Sequence, residues 1–319
     1  MTLKDKKLLI TGIAGFIGSN LADQCLELGA EVVGLDNMYN GSMTNLSNAR
    51  KSKNFRLIKG DLRDLSLLLE VTSDVEIIFH MGAFTSVPQS ILMPETCNAV
   101  NVNGTINILN AARKNDVEKI IFSSSSSVYG DANELPLTED MPRSPISPYG
   151  TSKLAGESYM QSFQEVYGIQ TLILRYFNVF GPRQKDSPYS GVIAIWLGRI
   201  QRNEPLLIFG DGTNSRDFTY VKDVVEGNIL AGEKDVSGEI LNIGAGSPIS
   251  LNDLAELLLE LTNKQDLTIK HTDPRPGDIL HSYADISKAQ KLLGFIPKYN
   301  QKKGLMEYLN WLSRNKEIG

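Results

Sequence analysis

Lys7-Leu8-Leu9-Ile10-Thr11-Gly12-Ile13-Ala14-Gly15-Phe16-Ile17-Gly18 decides the architecture. Lys7 to Thr11 is an apolar run of strand length. Three glycines spaced G-x-x-G-x-x-G follow, and a helical run from Ser19 to Leu28 closes at Gly29. A glycine triplet gains meaning from this strand, turn and helix context. Gly12 permits the tight turn, Gly15 the close approach of a pyrophosphate to backbone N–H groups, and Gly18 close helix–strand packing. Glu31 to Leu35 is the second strand, and it ends in Asp36. A carboxylate there accepts hydrogen bonds from a ribose diol and repels a 2′-phosphate, and its neighbour Asn37 is neutral. The pair points to NAD rather than NADP.

The same alternation continues outward. Phe55 to Leu62 predicts a third strand ending at Asp61, which could accept a bond from an adenine amino group while Leu62 covers the ring. A helix cap for Leu65 to Val71 is an equal reading of Asp61. Glu76 to Ala83 runs as a fourth strand into Gly82 and Ala83, small enough for a cofactor to approach the backbone. A long helix is expected from about Pro94 to Asn115, with Asn101, Asn103 and the helix-weakening Gly104 inside it. Lys119 to Phe122 and Gln170 to Arg175 are the fifth and sixth strands. Strands alternating with helices give a Rossmann-type, doubly wound parallel sheet with right-handed crossovers. After Pro182 the rhythm breaks. Helices at Val192 to Arg202, Leu251 to Thr262, Ile286 to Leu293 and Lys302 to Arg314 mix with short strands at Leu206 to Phe209 and Leu267 to His271. This predicts a dinucleotide domain of residues 1–177 plus about 221–247. A smaller C-terminal α/β substrate-binding domain of 178–220 and 248–319 faces it across a cleft.

Between the fifth and sixth strands lies Ser123-Ser124-Ser125-Ser126-Ser127-Val128-Tyr129-Gly130, and further on Ser147-Pro148-Tyr149-Gly150-Thr151-Ser152-Lys153. Pro148 suits a first helical turn and Ser147 its cap. Tyr149 and Lys153, at i and i+4, then share one face. A phenol beside an ammonium is a way to make a base, because a cation within about 4–6 Å favours the phenolate. A hydroxyl at the preceding strand end can hold the substrate oxygen.

Composition narrows the class. The chain has 319 residues, 41% hydrophobic and 22% charged, with a formal charge of −5. Nothing is basic enough for a nucleic-acid surface. No apolar run approaches the ~20 residues of a membrane span. Cys25 and Cys97 form neither a disulfide framework nor a metal spacing, and His80, His271 and His281 are scattered. No metal is expected, and a reducing, cytoplasmic setting is.

Together Gly12-x-x-Gly15-x-x-Gly18, Asp36, the Ser123 to Ser125 strand end and Tyr149-x-x-x-Lys153 resemble the extended short-chain dehydrogenase/reductase family, and within it the nucleotide-sugar 4-epimerases. Asn101-Val102-Asn103-Gly104-Thr105, Leu174 to Pro182, the Gly210 to Phe218 turn and Arg275-Pro276-Gly277-Asp278 add to the likeness, which runs from about Lys7 to Trp311. The resemblance implies an NAD site that also includes Phe16, Ile17, Asn101, Ser123 and Tyr176. It implies Tyr149 as base, Lys153 as the group that holds the nicotinamide ribose and tunes Tyr149, and Ser125 as the grip on the reacting hydroxyl, with a register uncertain by one among five serines. The implied reaction removes hydride from C4 of a UDP-hexose to NAD, turns the 4-keto sugar over, and returns the hydride to its other face.

For the substrate, the resemblance implies Arg216 and Arg275 on the diphosphate, Asn178 on diphosphate or sugar, and Leu206 to Phe209 (Ile208 among them) along the uracil. It adds Asp278 on the uridine ribose and Val192 and Ser126 on the pocket wall. Ser86 to Ser90 resembles the sugar-pocket loop of acetylated-hexose enzymes. Dehydratases of the family carry an Asp-Glu pair where this chain has Ser126 and Ser127. Ser282 stands where hexose-only epimerases carry a bulky aromatic, which suggests UDP-GlcNAc/UDP-GalNAc, with UDP-glucose/UDP-galactose alongside and UDP-glucuronate as a neighbouring alternative. A non-catalytic dinucleotide sensor of this fold usually lacks the Tyr or the Lys; both are present here. Family members commonly pair as homodimers through the Pro94–Asn115 and Tyr149–Tyr167 helices. Ile106, Leu109, Phe163 and Val166 could supply that face or equally be core.

Overall fold

The computed structural model describes residues 2–132, 134–185, 187, 190–274 and 279–315. Its first half runs β1 (Lys7–Thr11), α1 (Phe16–Glu27), β2 (Glu31–Asp36), β3 (Phe55–Lys59), α2 (Leu65–Val71), β4 (Ile77–His80), α3 (Val87–Leu92), α4 (Pro94–Asn98), α5 (Gly104–Lys114), β5 (Lys119–Ser125), α6 (Pro148–Tyr167) and β6 (Gln170–Tyr176). The second half runs β7 (Val179–Phe180), α7 (Val192–Gln201), β8 (Leu206–Phe209), β9 (Ser215–Asp217), β10 (Thr219–Tyr220), α8 (Val221–Glu233), β11 (Glu239–Ile243), β12 (Pro248–Ser250), α9 (Leu251–Leu261), β13 (Ile269–Thr272), β14 (His281–Ser282), α10 (Ser287–Leu293) and α11 (Gln301–Asn315).

Seven strands form one parallel sheet in the order β11-β6-β5-β4-β1-β2-β3. Both faces are covered, so its strands read as continuous apolar runs rather than alternating ones. The pleat sends Leu8, Ile10 and Phe79 into one core with α1 and α8, and Leu9, Ile78 and Ile120 into another with α2, α5 and α6. Strand order reverses between β1 and β4, the switch point where a crevice opens at the carboxyl ends of such sheets.

The second half adds small sheets: β8 with β13, β7 with β10, and the three-stranded β12-β9-β14. Buried Asp217 on β9 accepts bonds from the N–H groups of Ala245, Gly246 and Ala284 at 2.8, 3.0 and 3.1 Å, which gathers three distant segments. Trp196 on α7 donates its indole N–H to Leu207 O at 3.0 Å and seats that helix on β8.

Some expectations change. The Pro94–Asn115 helix is three pieces: α4, a π-turn over Ala99–Asn103, and α5. Ser86 to Ser90 is not a loop. Ser86 caps α3, accepting from Gln89 N at 3.3 Å, and Pro88 sits within its first turn, where a missing N–H costs nothing. The strand expected at Leu267–His271 starts later, as β13. Leu109 is fully buried in the core and offers no free face, whereas Val166 on α6 is exposed. Among the described residues no helix is long and apolar enough to cross a membrane.

Candidate active site

The cleft at the switch point has a volume of about 860 Å³. One wall is backbone. Gly12 has φ +68°, and a Cβ there would stand 2.7 Å from Gly82 Cα. A Cβ on Gly18 would stand 2.4 Å from Gly12 O, so only glycine lets α1 lie this close to β1. Gly15 is the N-cap of α1 and no side chain caps that end. Its first-turn N–H groups, including those of Phe16 and Ile17 on the cleft wall, therefore suit an anionic group. Asp36 closes β2. Its carboxylate accepts from Ala14 N at 2.9 Å and Met38 N at 2.8 Å, which aims it along the cleft wall with acceptor capacity left over.

Asp61 is not a helix cap. Asp64 caps α2, accepting from Leu67 N at 3.0 Å. Arg63 forks Asp61 at 2.8 Å through two nitrogens and Asn37 donates to it at 2.9 Å. The Arg63 guanidinium holds its carboxyl well below the usual range. Asp61, Asn37, Leu62, Gly82 and Ala83 all line the cleft. Asn101 does not. It stands behind the wall in the π-turn, bonding Phe84 N at 2.6 Å, Phe84 O at 3.0 Å and Ser152 Oγ at 2.9 Å.

The other wall is side chains on β5 and α6. Ser147 caps α6, accepting from Gly150 N at 3.1 Å, and Pro148 opens it. Tyr149 and Lys153 then fall on one face and both line the cleft with Ser123, Ser125 and Ser126. Lys153 is almost fully buried, donates to Ser123 O at 2.8 Å, and lies 5.0 Å above the Phe122 ring and 5.9 Å from the Tyr149 ring centre. Burial pushes its ammonium down to about 8. Burial pushes the Tyr149 phenol up to about 12, and the Ser125 hydroxyl bonded to it pulls the other way. The lowering expected from Lys153 is not among the influences on this phenol, and desolvation of the phenolate dominates. Ser125 also accepts from Ser127 N at 3.2 Å.

Two supports were not legible in advance. Ser90 on α3 accepts from Tyr149 N at 3.1 Å, bracing the first turn of α6. Glu157, one turn beyond Lys153, forks the fully buried Arg175 of β6 at 2.9 and 2.7 Å and accepts from Ser124 Oγ at 2.5 Å. This pins the serine strand end to the helix carrying Tyr149.

Tyr176 and Asn178 line the cleft, with Tyr176 OH donating to Asn228 Oδ1 at 2.8 Å. Arg183 pairs with Asp23 of α1 and lines the cleft beside Lys185. Gly191, the N-cap of α7, and Ile195, four residues on within it, face the cleft; Val192 is not among the lining residues. Leu206 and Ile208 are turned into the core by the pleat and are fully buried, leaving Leu207 and Phe209 half-buried on the opposite face. Arg216 and Ser282 are paired neighbours on β9 and β14, with Ser282 7% exposed, and stand apart from the cleft lining with Phe209. Ser86 lines the cleft. Arg275 and Asp278 lie outside the described residues. Among the described residues no group of three or more His, Cys, Asp or Glu could hold a metal ion.

A glycine turn, an uncapped helix start and a ribose-ready carboxylate meeting a Ser-Tyr-Lys wall define a nucleotide-dependent oxidoreductase-type site. Residues 8–244 match the NAD dependent epimerase/dehydratase family model, and the chain belongs to that family. It is similar to a putative UDP-glucose 4-epimerase of Methanocaldococcus jannaschii, 39% identical over 97% of this chain and 99% of the relative. It is similar to the structure of a UDP-N-acetylglucosamine 4-epimerase from Methanobrevibacter ruminantium in complex with UDP-N-acetylmuramic acid, at 39% identity and TM-score 0.93 over 98% and 99% of the two chains. A UDP-glucuronic acid 4-epimerase from Bacillus cereus, solved with UDP-glucuronic acid and NAD, is 32% identical at TM-score 0.91, over 97% and 99%. The chain is an NAD-dependent epimerase of this extended short-chain dehydrogenase/reductase type.

Proposed function

We propose that the enzyme inverts C4 of UDP-GlcNAc to give UDP-GalNAc and the reverse, and that it also accepts UDP-glucose and UDP-galactose. The observation that carries the acetylated sugar is the small, buried Ser282, which pairs with Arg216 in strand register apart from the cleft lining. The resemblance puts a bulky aromatic there in enzymes restricted to plain hexoses. The Methanobrevibacter relative supports the same reading.

In this reading the chain's groups divide the work. Bound NAD supplies a hydride acceptor that becomes the donor for the return step. Tyr149 takes the proton of the sugar 4-hydroxyl and gives it back after the 4-keto sugar has turned over. Its upward shift keeps the phenol protonated, the form that returns a proton, and makes its phenolate a strong base once formed; a cationic neighbour is needed to form that phenolate for the outward step. Lys153, locked to Ser123 O, holds the nicotinamide ribose. Ser125, bonded to Tyr149, orients the 4-hydroxyl. Arg216 and Arg275 hold the diphosphate, with Asn178 beside them, so that the nucleotide stays fixed while the hexose rotates. Ser126 and Ser127 offer no strong acid for loss of water from C5 and C6. We read 1–177 with about 221–247 as the NAD unit and 178–220 with 248–319 as the sugar-nucleotide unit. Two free, buried cysteines fit a cytoplasmic enzyme.

One observation favours a second substrate reading. Lys185, a cation on the cleft wall, could meet the C6 carboxylate of UDP-glucuronate. Proton NMR of the NAD-loaded enzyme with UDP-GlcNAc, UDP-glucose and UDP-glucuronate in separate tubes separates the readings. The galacto epimer of UDP-GlcNAc is expected; turnover of UDP-glucuronate alone sinks the acetylated reading. We also propose a homodimer through α5 and α6, where Tyr159 and Val166 are exposed. A monomer mass in light scattering at micromolar concentration refutes it.

A further inference from the structure

His80 ends β4 and is 1% exposed, yet both its ring nitrogens are bonded to hydroxyls. Nδ1 lies 2.8 Å from Thr11 Oγ1 and Nε2 lies 3.0 Å from Thr105 Oγ1. The tautomer follows from counting protons. Thr105 has one hydroxyl proton, and it goes 2.6 Å to Asn101 O, a carbonyl that can only accept. Nε2 must therefore donate to Thr105, and in a neutral ring Nδ1 must accept. Thr11 donates to it while accepting from Gly82 N at 2.9 Å. One directed chain results: Gly82 N–H to Thr11, Thr11 to His80, His80 to Thr105, Thr105 to the π-turn carbonyl of Asn101. His80 O also accepts from Ser123 Oγ at 3.0 Å, reaching the serine strand.

One end of this chain, Gly82, is backbone of the cleft wall, and the other, Asn101, is the π-turn that stands behind that wall. Thr11 precedes Gly12, and the Gly12 and Gly82 turns approach so closely that a single added Cβ would collide. Asn101 in turn grips both polar groups of Phe84. A leucine of similar volume would fill the space but would leave Thr11 and Thr105 free to rebond.

We propose that His80 is a positioning residue for the NAD cleft, held as the neutral Nε2–H tautomer, whose ring spaces the Gly12 and Gly82 turns and anchors the π-turn behind them. Burial, with the Lys153 charge facing it, holds the imidazole down at about 3, so the ring keeps one protonation state across the working range.

The test is ¹⁵N NMR of histidine-labelled holoenzyme, with the His80→Gln spectrum used for assignment. A pyridine-type Nδ1 and a pyrrole-type Nε2, unchanged between pH 5 and 8, are expected. An Nδ1–H tautomer, or an imidazolium in that range, overturns the proposal. The second arm is calorimetric NAD binding to stripped His80→Gln and Thr105→Val proteins. Each is expected to bind NAD at least about tenfold more weakly, with kcat at saturating NAD within about threefold of the parent. Parent-like NAD affinity in both overturns it. If neither variant folds, the tautomer in the parent protein still decides.

Discussion

One wall of the cleft is made largely of backbone, and the wall facing it is made of side chains. Gly12, Gly15, Gly18 and Gly82 meet at sheet ends where no Cβ fits or none is needed, so the shape follows from the strand order itself. Across from it, Tyr149, Lys153 and Ser125 are hung on one helix and one strand end, while Arg216 and Ser282, apart from the cleft lining, sit on strands of three and two residues. A backbone wall changes only if the fold changes. A side-chain wall can be rewritten one residue at a time, which suits a fold whose relatives act on acetylated, plain and acidic sugars.

The largest effect that would sharpen this contrast is on the side-chain wall. Tyr149→Phe is expected to lower kcat by about 10²–10⁴-fold while thermal unfolding and NAD content stay near those of the parent. Lost NAD or lost structure in that variant would mean that the two walls are not separable. On the backbone wall, Gly18→Ala drives a Cβ to 2.4 Å from Gly12 O and is expected to weaken NAD binding at least about tenfold and to lower Tm. Absorbance of NAD released on denaturation reads this directly.

A subtler break concerns the sugar alone. Ser282→Tyr is expected to cut kcat/KM for UDP-GlcNAc by about 10–100-fold and to leave UDP-glucose within about threefold, measured by coupled assay on each. Equal losses on both would remove Ser282 from the specificity argument. The smallest effect is in pH dependence. Lys153 titrates near 8 when folded against 10.5 as the ordinary value. Between those values the unfolded chain binds the extra proton, so stability from this group rises with pH. Relative to Lys153→Met, the parent should gain up to about 2 kcal/mol from pH 8 to 10, by urea melts.

The backbone wall was legible in the sequence because its signals are local: an apolar run, glycines at fixed spacing, an acid at the next strand end. The order of Tyr149 and Lys153 on a capped helix was legible for the same reason. The side-chain wall was less so. Nothing local says that Ser215 pairs with His281, or that Glu157 meets Arg175, because these contacts join residues far apart in the chain. Leu206 and Ile208 show the limit within one strand. Four apolar residues name a strand but not which alternate pair faces inward. Tyr149 shows it in energy, since an i,i+4 lysine suggests a lowered phenol and only the packed site shows burial prevailing.

The most direct test of the central claim is proton NMR of the NAD-loaded protein mixed with UDP-GlcNAc. Growth of the galacto anomeric signal to a constant ratio, with no net NADH and no such growth in Tyr149→Phe, is the predicted result. A 4-keto-6-deoxy product, or a galacto signal undiminished in Tyr149→Phe, would contradict the account.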